Sequence, residues 1–293
     1  MNEIGSYRSG VVAIIGRANA GKSTLINRLL GEKIAIVTSK PQTTRSRILG
    51  VLTREEVQFL FVDTPGFHEG QKALNRALVQ LAEEAIKDCD VALLLVDSTK
   101  GFSASYRDIV FKLQENTKPV VAVATKIDLV PKTEMHWPEE LSFSARCSVS
   151  AKTNFGIDAL LQLLEGFLPE GPRYYSPEQL SDRPLRFFVS ELIREVAFEM
   201  LGDEVPYDLA VDIRDFDESQ EDLISINADL LVETASQKKI VIGKGGRLIK
   251  ELGIRSRHKI ERFLGSKIYL GLFVKHEARW SKKPGRIKAL GYN

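Results

Sequence analysis

The sequence predicts an α/β domain, a mostly parallel sheet with helices on both faces, followed by a smaller α+β domain. Three observations carry this reading. The 293 residues are too many for one small core and fit about two domains at roughly 100–200 residues each. Short apolar runs alternate with helical patterns through the first part of the chain, as in parallel α/β units. A proline-rich stretch, Pro169-Glu-Gly-Pro172-Arg-Tyr-Tyr-Ser-Pro177, then ends the alternation and reads as a connection between domains. Residues 1–170 are therefore assigned to the first domain, 171–183 to a linker and 184–293 to the second.

In chain order, Val11–Ile15, Val57–Val62, Val91–Val96, Val120–Ala124 and Arg146–Val149 read as strands. Leu25–Leu30, Leu74–Ile86, Tyr106–Glu115 and Ile157–Phe167 repeat apolar residues at helical spacing. Beyond the linker the pattern gives a helix over Pro184–Leu201 and strands at Asp208–Ile213 and Leu223–Glu233. A helical region over Arg247–Leu264 and a strand at Lys267–Val274 complete the smaller domain.

Composition excludes several classes. At 43% hydrophobic and 27% charged, the chain is not disordered throughout. No apolar run approaches the roughly 20 residues of a membrane-spanning helix, and Met1–Gly10 lacks the pattern of a signal peptide. Cys89 and Cys147 form no CxxC pair and there are four scattered histidines, which argues against a disulfide framework or a zinc site. A reducing, cytoplasmic setting follows. The net charge of +2 hides an asymmetry: residues 173–233 hold 5 basic against 16 acidic side chains, and residues 234–293 hold 16 basic against 3 acidic. A basic surplus confined to one segment is the footprint of a polyanion partner, nucleic acid before lipid.

Gly16-Arg-Ala-Asn-Ala-Gly21-Lys22-Ser23 matches G-x-x-x-x-G-K-[ST] between a predicted strand and a predicted helix. Gly16 and Gly21 let backbone N–H groups turn toward phosphate at a helix N-terminus. Lys22 supplies charge for the terminal phosphates and Ser23 a hydroxyl for Mg²⁺; Asn19, Ala20 and Thr24 belong to the same nucleotide-binding loop. Asp63-Thr-Pro-Gly66 follows an apolar strand, placing a carboxylate for Mg²⁺ and a glycine N–H for the γ-phosphate. Thr125-Lys126-Ile127-Asp128 follows another, and a carboxylate there accepts the paired N1–H and N2–H₂ donors of guanine, which adenine lacks. Ser150-Ala151-Lys152 follows the next strand, where a backbone N–H can reach guanine O6.

These four segments, in this order, resemble the translation-factor class of GTPases. The resemblance implies a switch threonine between the first two motifs, Thr43 or Thr44, that completes the Mg²⁺ shell and senses the γ-phosphate. Lys22, Thr44 and Gly66 are then the catalytic candidates. Two departures stand out. That class usually has asparagine at the position of Thr125, and a threonine cannot offer an amide's donor and acceptor together. Phe67 stands where many signalling GTPases place a glutamine, so water must be oriented by backbone, another residue or a partner; His68 is a weaker candidate base. In some relatives the counterpart of Asn19 ligates a potassium ion.

In the basic segment, Gly243-Lys244-Gly245-Gly246 leads into Arg247 and Lys250. A Gly-x-x-Gly loop with this helix–strand–strand–helix–strand order resembles a type II KH module, in which the loop lets a nucleic-acid backbone approach closely. Tyr269, Phe273 and Trp280 are base-stacking candidates, although core packing is the expectation for each. A G domain, a short linker and a C-terminal KH module together resemble the Era family of bacterial GTPases over nearly the whole chain. That resemblance implies binding near the 3′ end of small-subunit ribosomal RNA, a role in maturing the small ribosomal subunit and some peripheral contact with the inner membrane; GTP, GDP and Mg²⁺ are the expected ligands and a monomer the expected state. The alternatives are an RNA-binding protein that holds GTP as a structural ligand, or a membrane-associated regulatory GTPase.

Overall fold

Valine, leucine, isoleucine and alanine fill the central strands of the first sheet on both faces, as expected where helices cover two sides. A computed structural model describes residues 7–37, 48–63, 87–115, 118–130, 135–202, 205–220 and 222–291. The chain forms two units, Met1–Ala35 with Pro41–Asp182 and Ile36–Lys40 with Arg183–Asn293.

The first unit contains β1 (Arg8–Gly16), α1 (Lys22–Leu30), β2 (Ile48–Thr53), β3 (Val57–Asp63), β4 (Val91–Asp97), α2 (Ala104–Glu115), β5 (Val120–Thr125), β6 (Ala145–Ser148) and α3 (Ile157–Glu165). The sheet order is β2-β3-β1-β4-β5-β6. Only β2 among these strands runs antiparallel to its neighbour. On one face, Tyr106, Ile109, Val110 and Leu113 of α2 pack against Ala13, Ile15, Ala92, Leu94 and Val96. The register sets Asp63 beside Ile14, Gly16 beside Leu95, Thr125 beside Asp97 and Ser148 beside Ala124. The carboxyl ends of five strands therefore meet along one edge, where open α/β sheets hold their ligands.

All five strands expected from sequence in this unit are present, and β2 is an addition. The expected helix over residues 74–86 lies outside the described residues, as do Thr43, Thr44, Gly66, Phe67 and His68.

The segment expected as a linker is bonded to the edge of this sheet. Gly50 bridges to Ser181, whose hydroxyl donates to the Leu49 carbonyl at 2.5 Å. The fully buried Gln58 accepts from the N–H groups of Tyr174 (2.8 Å) and Tyr175 (3.0 Å). Its amide donates back to the Tyr175 carbonyl and to Thr53 Oγ1, both at 2.9 Å.

The second unit contains α4 (Leu185–Met200), β7 (Ala210–Gln220), β8 (Leu223–Val232), α5 (Ala235–Ile242), α6 (Arg247–Leu264), β9 (Ile268–His276) and α7 (Pro284–Ala289). Its sheet has the order β7-β8-β9, with β7 antiparallel and β9 parallel to β8. Val189, Ile193 and Val196 of α4 share one core with Ile226, Ala228 and Leu230 of β8 and with Leu252 and Ile260 of α6. Helix α4 also buries a charged pair, Arg194 to Glu191 at 2.6 Å, with the guanidinium over the Phe198 ring.

Helix α5 was not expected from sequence. It starts at a reciprocal cap in which Gln237 N–H donates to Thr234 Oγ1 and the Gln237 side chain accepts from the Thr234 N–H. Trp280 is buried as expected, its Nε1 donating to the Asp208 carbonyl at 2.9 Å. Tyr269 and Phe273 are not in the core; both are exposed. The reason is that the outer face of the sheet is covered by Trp280 and Leu290 only around Ala210 and Leu231.

Replacing Gln58 by alanine strands three backbone groups and the Thr53 hydroxyl at a buried position. Gln58→Ala is expected to lower stability by about 3 kcal/mol, read from urea unfolding; a loss within experimental error would show that the strap adds nothing.

Candidate functional site

In the loop between β1 and α1 the carbonyl oxygens of Gly16, Arg17, Asn19 and Ala20 are each held by a side chain. Gly21 takes φ +92° at the helix start, a conformation that favours glycine. Lys22 is buried, and its Nζ donates to the carbonyls of Gly16 (2.9 Å) and Arg17 (3.0 Å). Thr125 Oγ1 donates to the Ala20 carbonyl at 2.7 Å and lies 3.2 Å from that of Val96. Lys126 Nζ donates to the Asn19 carbonyl at 2.6 Å and pairs with Asp97 at 2.7 Å. Asn19 has a left-handed backbone, φ 64°, which asparagine tolerates well.

Ser23 Oγ donates to Asp63 Oδ2 at 3.2 Å, joining the head of α1 to the end of β3. Hydroxyl and carboxylate oxygens side by side are hard donors of the kind that suits Mg²⁺. On the other side of the loop a cavity of about 170 Å³ is lined by Gly21, Thr24, Thr125, Lys126, Asp128, Ala151 and Lys152, among others. Asp128 sits in a short 3₁₀ turn, and Ser150 Oγ donates to its Oδ1 at 2.7 Å. Arg28 of α1 holds the opposite wall, donating to the carbonyls of Ala151 (2.6 Å) and Lys152 (3.3 Å). The described residues of all four motifs thus meet at one edge of the sheet.

Besides Arg28, two supporting residues were not legible in the motifs. Asp97 ends β4; burial disfavours its charge, yet the Lys126 ammonium and the Thr99 hydroxyl and amide hold its carboxyl below the usual range. Asn27 ties down the chain after α1, accepting from the N–H groups of Ile34 and Ala35 and donating to the Ala35 carbonyl. Burial also lowers the Lys22 amine to about 8, partly opposed by Asp63.

Known proteins match this arrangement along the whole chain. Residues 11–126 match a family model described as a 50S ribosome-binding GTPase, and residues 204–281 match the KH domain. The GTPase Era of Ruminiclostridium cellulolyticum is 39% identical over 292 residues, 98% of each chain. The GTPase Era of Geobacter sp. (strain M21) is 42% identical over 291 residues, again 98% of each. The chain belongs to the Era family of GTPases. A crystal structure of Era in complex with MgGDPNP and nucleotides 1506–1542 of 16S ribosomal RNA is similar at TM-score 0.87 and 32% identity, over 98% of this chain and 99% of that one. A variant of Aquifex aeolicus Era bound to GDP and AlF4⁻ is equally similar in TM-score and identity, over 97% and 99%.

The part of this Era-family chain that matches the KH model has its own cleft. Gly243 joins α5 to a tight turn, Lys244–Gly246, with φ +71°, and a Cβ there would collide with Leu248 Cβ. Lys244, Arg247 and Lys250 are exposed around this turn. Below it, a groove of about 510 Å³ runs between α6 and β9, with Lys250, Gly253 and Arg257 on one wall and Ile268, Tyr269 and Leu272 on the other. Gly245 and Gly246 complete the loop, both at positive φ. Among the described residues, no helix is long and apolar enough to cross a membrane.

Nucleotide phosphates favour charged Lys22, so binding takes up a proton wherever the free amine has lost its own. Affinity for GDP should hold below pH 8 and fall above it, approaching tenfold per pH unit. Titrations with a fluorescent GDP from pH 7 to 9.5 check this; a flat profile would contradict it. Removing the hydroxyl that orients Asp128, as Ser150→Ala, should weaken GDP roughly tenfold while weakening inosine diphosphate less, because the latter lacks the N2 donors. Equal losses for the two nucleotides would leave Ser150 without a part in base recognition.

Proposed function

We propose that this chain is a Mg²⁺-dependent GTPase that binds the 3′ end of 16S ribosomal RNA through its KH unit and acts in the cytoplasm on the maturing small ribosomal subunit. The observation that carries the first half is the Asp128 carboxylate held by Ser150 in a cavity whose other wall is the phosphate-binding loop. That carboxylate selects the guanine edge, and in this reading the amides of Ala151 and Lys152 serve the base carbonyl, the Ser150 N–H being bonded to the Phe155 carbonyl. Lys22 leaves the Gly16 and Arg17 carbonyls to meet the β- and γ-phosphate oxygens, where charge builds during transfer to water. Ser23 and Asp63, side by side at 3.2 Å, would hold Mg²⁺. The metal, when bound, neutralises charge on the β,γ-bridge. Thr43 or Thr44 and Gly66 close on the γ-phosphate in this reading. Potassium enters only through Asn19, and turnover in KCl against NaCl decides it.

The second half rests on the Gly243–Gly246 loop, the exposed Lys244, Arg247 and Lys250, and the α6–β9 groove, features that suit a single strand held by backbone contact and shallow base pockets. The relative in complex with nucleotides 1506–1542 of 16S ribosomal RNA supplies the RNA to try first.

Multiple-turnover phosphate release separates an enzyme from a protein that keeps GTP as a structural ligand. Lys22→Ala should lose about 3–4 kcal/mol of transition-state stabilisation while RNA affinity is retained. Lys244→Glu with Lys250→Glu should do the reverse. No turnover by the wild type with RNA and Mg²⁺ present would overturn the enzymatic reading.

A further inference from the structure

The outer face of the β7-β8-β9 sheet carries two exposed aromatic rings outside the core, one of which, Tyr269, also borders the groove. Along β9, Ile268, Leu270, Leu272 and Val274 pack inward, so Tyr269, Gly271 and Phe273 share the opposite face. Tyr269 is 57% and Phe273 53% exposed, and four residues of strand set them roughly 13 Å apart. Between them the glycine leaves space that Asn227 of β8 fills, since a Cβ at Gly271 would collide with Asn227 Oδ1. The Asn227 side chain has no hydrogen-bond partner among the described residues. Arg214 lies over the Phe273 ring at 4.9 Å and is fixed there by the buried Asp229 at 3.1 Å.

Two π-faces, a pre-oriented guanidinium plane and an unspent amide form a stacking surface with a polar reader between its rings. The patch is not a continuous apolar surface of the kind a protein partner buries, because Asn227 and Arg214 interrupt it. Charge narrows the track further. Asp215 and Asp217 face Asn227 and Ser225 from β7, so a polyanion is held to the β9 side. That side is continuous with the RNA groove, because Tyr269 lines both.

We propose that RNA leaving the α6–β9 groove crosses the β9 edge and stacks two or three unpaired bases on Tyr269 and on the Phe273–Arg214 pair, with the Asn227 amide reading a base edge between them. The proposal rests on the RNA-groove reading above and extends its footprint onto a second face.

The test uses the full chain and two probes: RNA of nucleotides 1506–1542 of 16S ribosomal RNA, and a tetranucleotide from it that fills only the groove, since KH modules clamp about four nucleotides. Phe273→Leu keeps apolar bulk without the ring; Asn227→Ala removes the reader. Phe273→Leu should weaken the longer RNA by roughly 5- to 150-fold and leave the tetranucleotide unchanged. Asn227→Ala should weaken the longer RNA severalfold, and ultraviolet crosslinks should map to Tyr269 or Phe273. Lys250→Glu should weaken both probes; if it weakens neither, the groove reading fails by itself. Wild-type affinity for the longer RNA in Phe273→Leu, with crosslinks confined to residues 243–262, would overturn the platform and leave the groove standing. The same RNA result with loss of binding to a lysine-rich peptide would assign the face to a basic protein and also overturn it.

Discussion

A loop that aims its amides at phosphate must bury its carbonyls, and the nucleotide site is organised around that requirement. The carbonyls of Gly16, Arg17, Asn19 and Ala20 are met by three side chains, Lys22, Lys126 and Thr125. The bonds to Gly16 and Ala20 are buried, and a buried carbonyl without a donor costs roughly 1–3 kcal/mol, so these two contribute most to holding the loop in this shape. Lys126 and Thr125 come from the end of β5 and Asp97 from the end of β4. The base-reading motif therefore also holds the phosphate loop, and Asp97 keeps the Lys126 ammonium where the Asn19 carbonyl needs it.

The phosphate-loop segment and Asp128, proposed to read guanine, stood out in the sequence because the chemistry expected of them demands particular residue types at fixed spacing after apolar strands. The supports did not, because Asp97, Arg28 and Asn27 act through bonds to residues distant in sequence or to backbone atoms that no motif names. Strand β2 escaped notice for a different reason. Ile48-Leu-Gly-Val-Leu-Thr53 is short, and it is specified by pairing with β3 and by the Ser181 strap rather than by its own periodicity. In α5 the run Ile240-Val241-Ile242 has the β-branched character of a strand, and only Val241 is buried. Thr234 and Gln237, three apart, were the local signal for its start. For β9, Tyr269 and Phe273 show why pattern alone misassigns an exposed face. Alternation with apolar residues on both sides reads as a strand covered twice, and sequence does not say where cover ends.

Charge in the second unit divides into what folding uses and what remains outside. The acidic stretch and the basic tail pair with each other at several points: Arg286 with Asp212 at 2.7 Å, Lys259 with Glu199 at 2.7 Å, and Lys259 with the buried Glu195 at 3.4 Å. The surplus over residues 234–293 is thus an upper bound on what an RNA meets. Lys244, Arg247, Lys250 and Arg257 stand outside these pairs and lie along the loop and the exposed side of α6. The polyanion footprint is a line beside the groove rather than a whole basic face, which suits a single strand better than a duplex.

Thr125 shows how far a departure from a family pattern can go without losing the fold. Its hydroxyl carries one proton and faces two carbonyls, those of Ala20 and Val96, so it has no donor left for a ligand although its oxygen can still accept. An asparagine amide has two protons and an acceptor besides. The threonine therefore keeps the structural half of that role, joining the phosphate loop to β4, and lacks the amide's second donor. In the proposed reading, base recognition then rests chiefly on Asp128 and on the Ser150–Lys152 segment. Because the carboxylate is set by Ser150 and the segment by Arg28, the proposed discrimination for guanine depends on how rigidly those two residues hold the walls of the cavity.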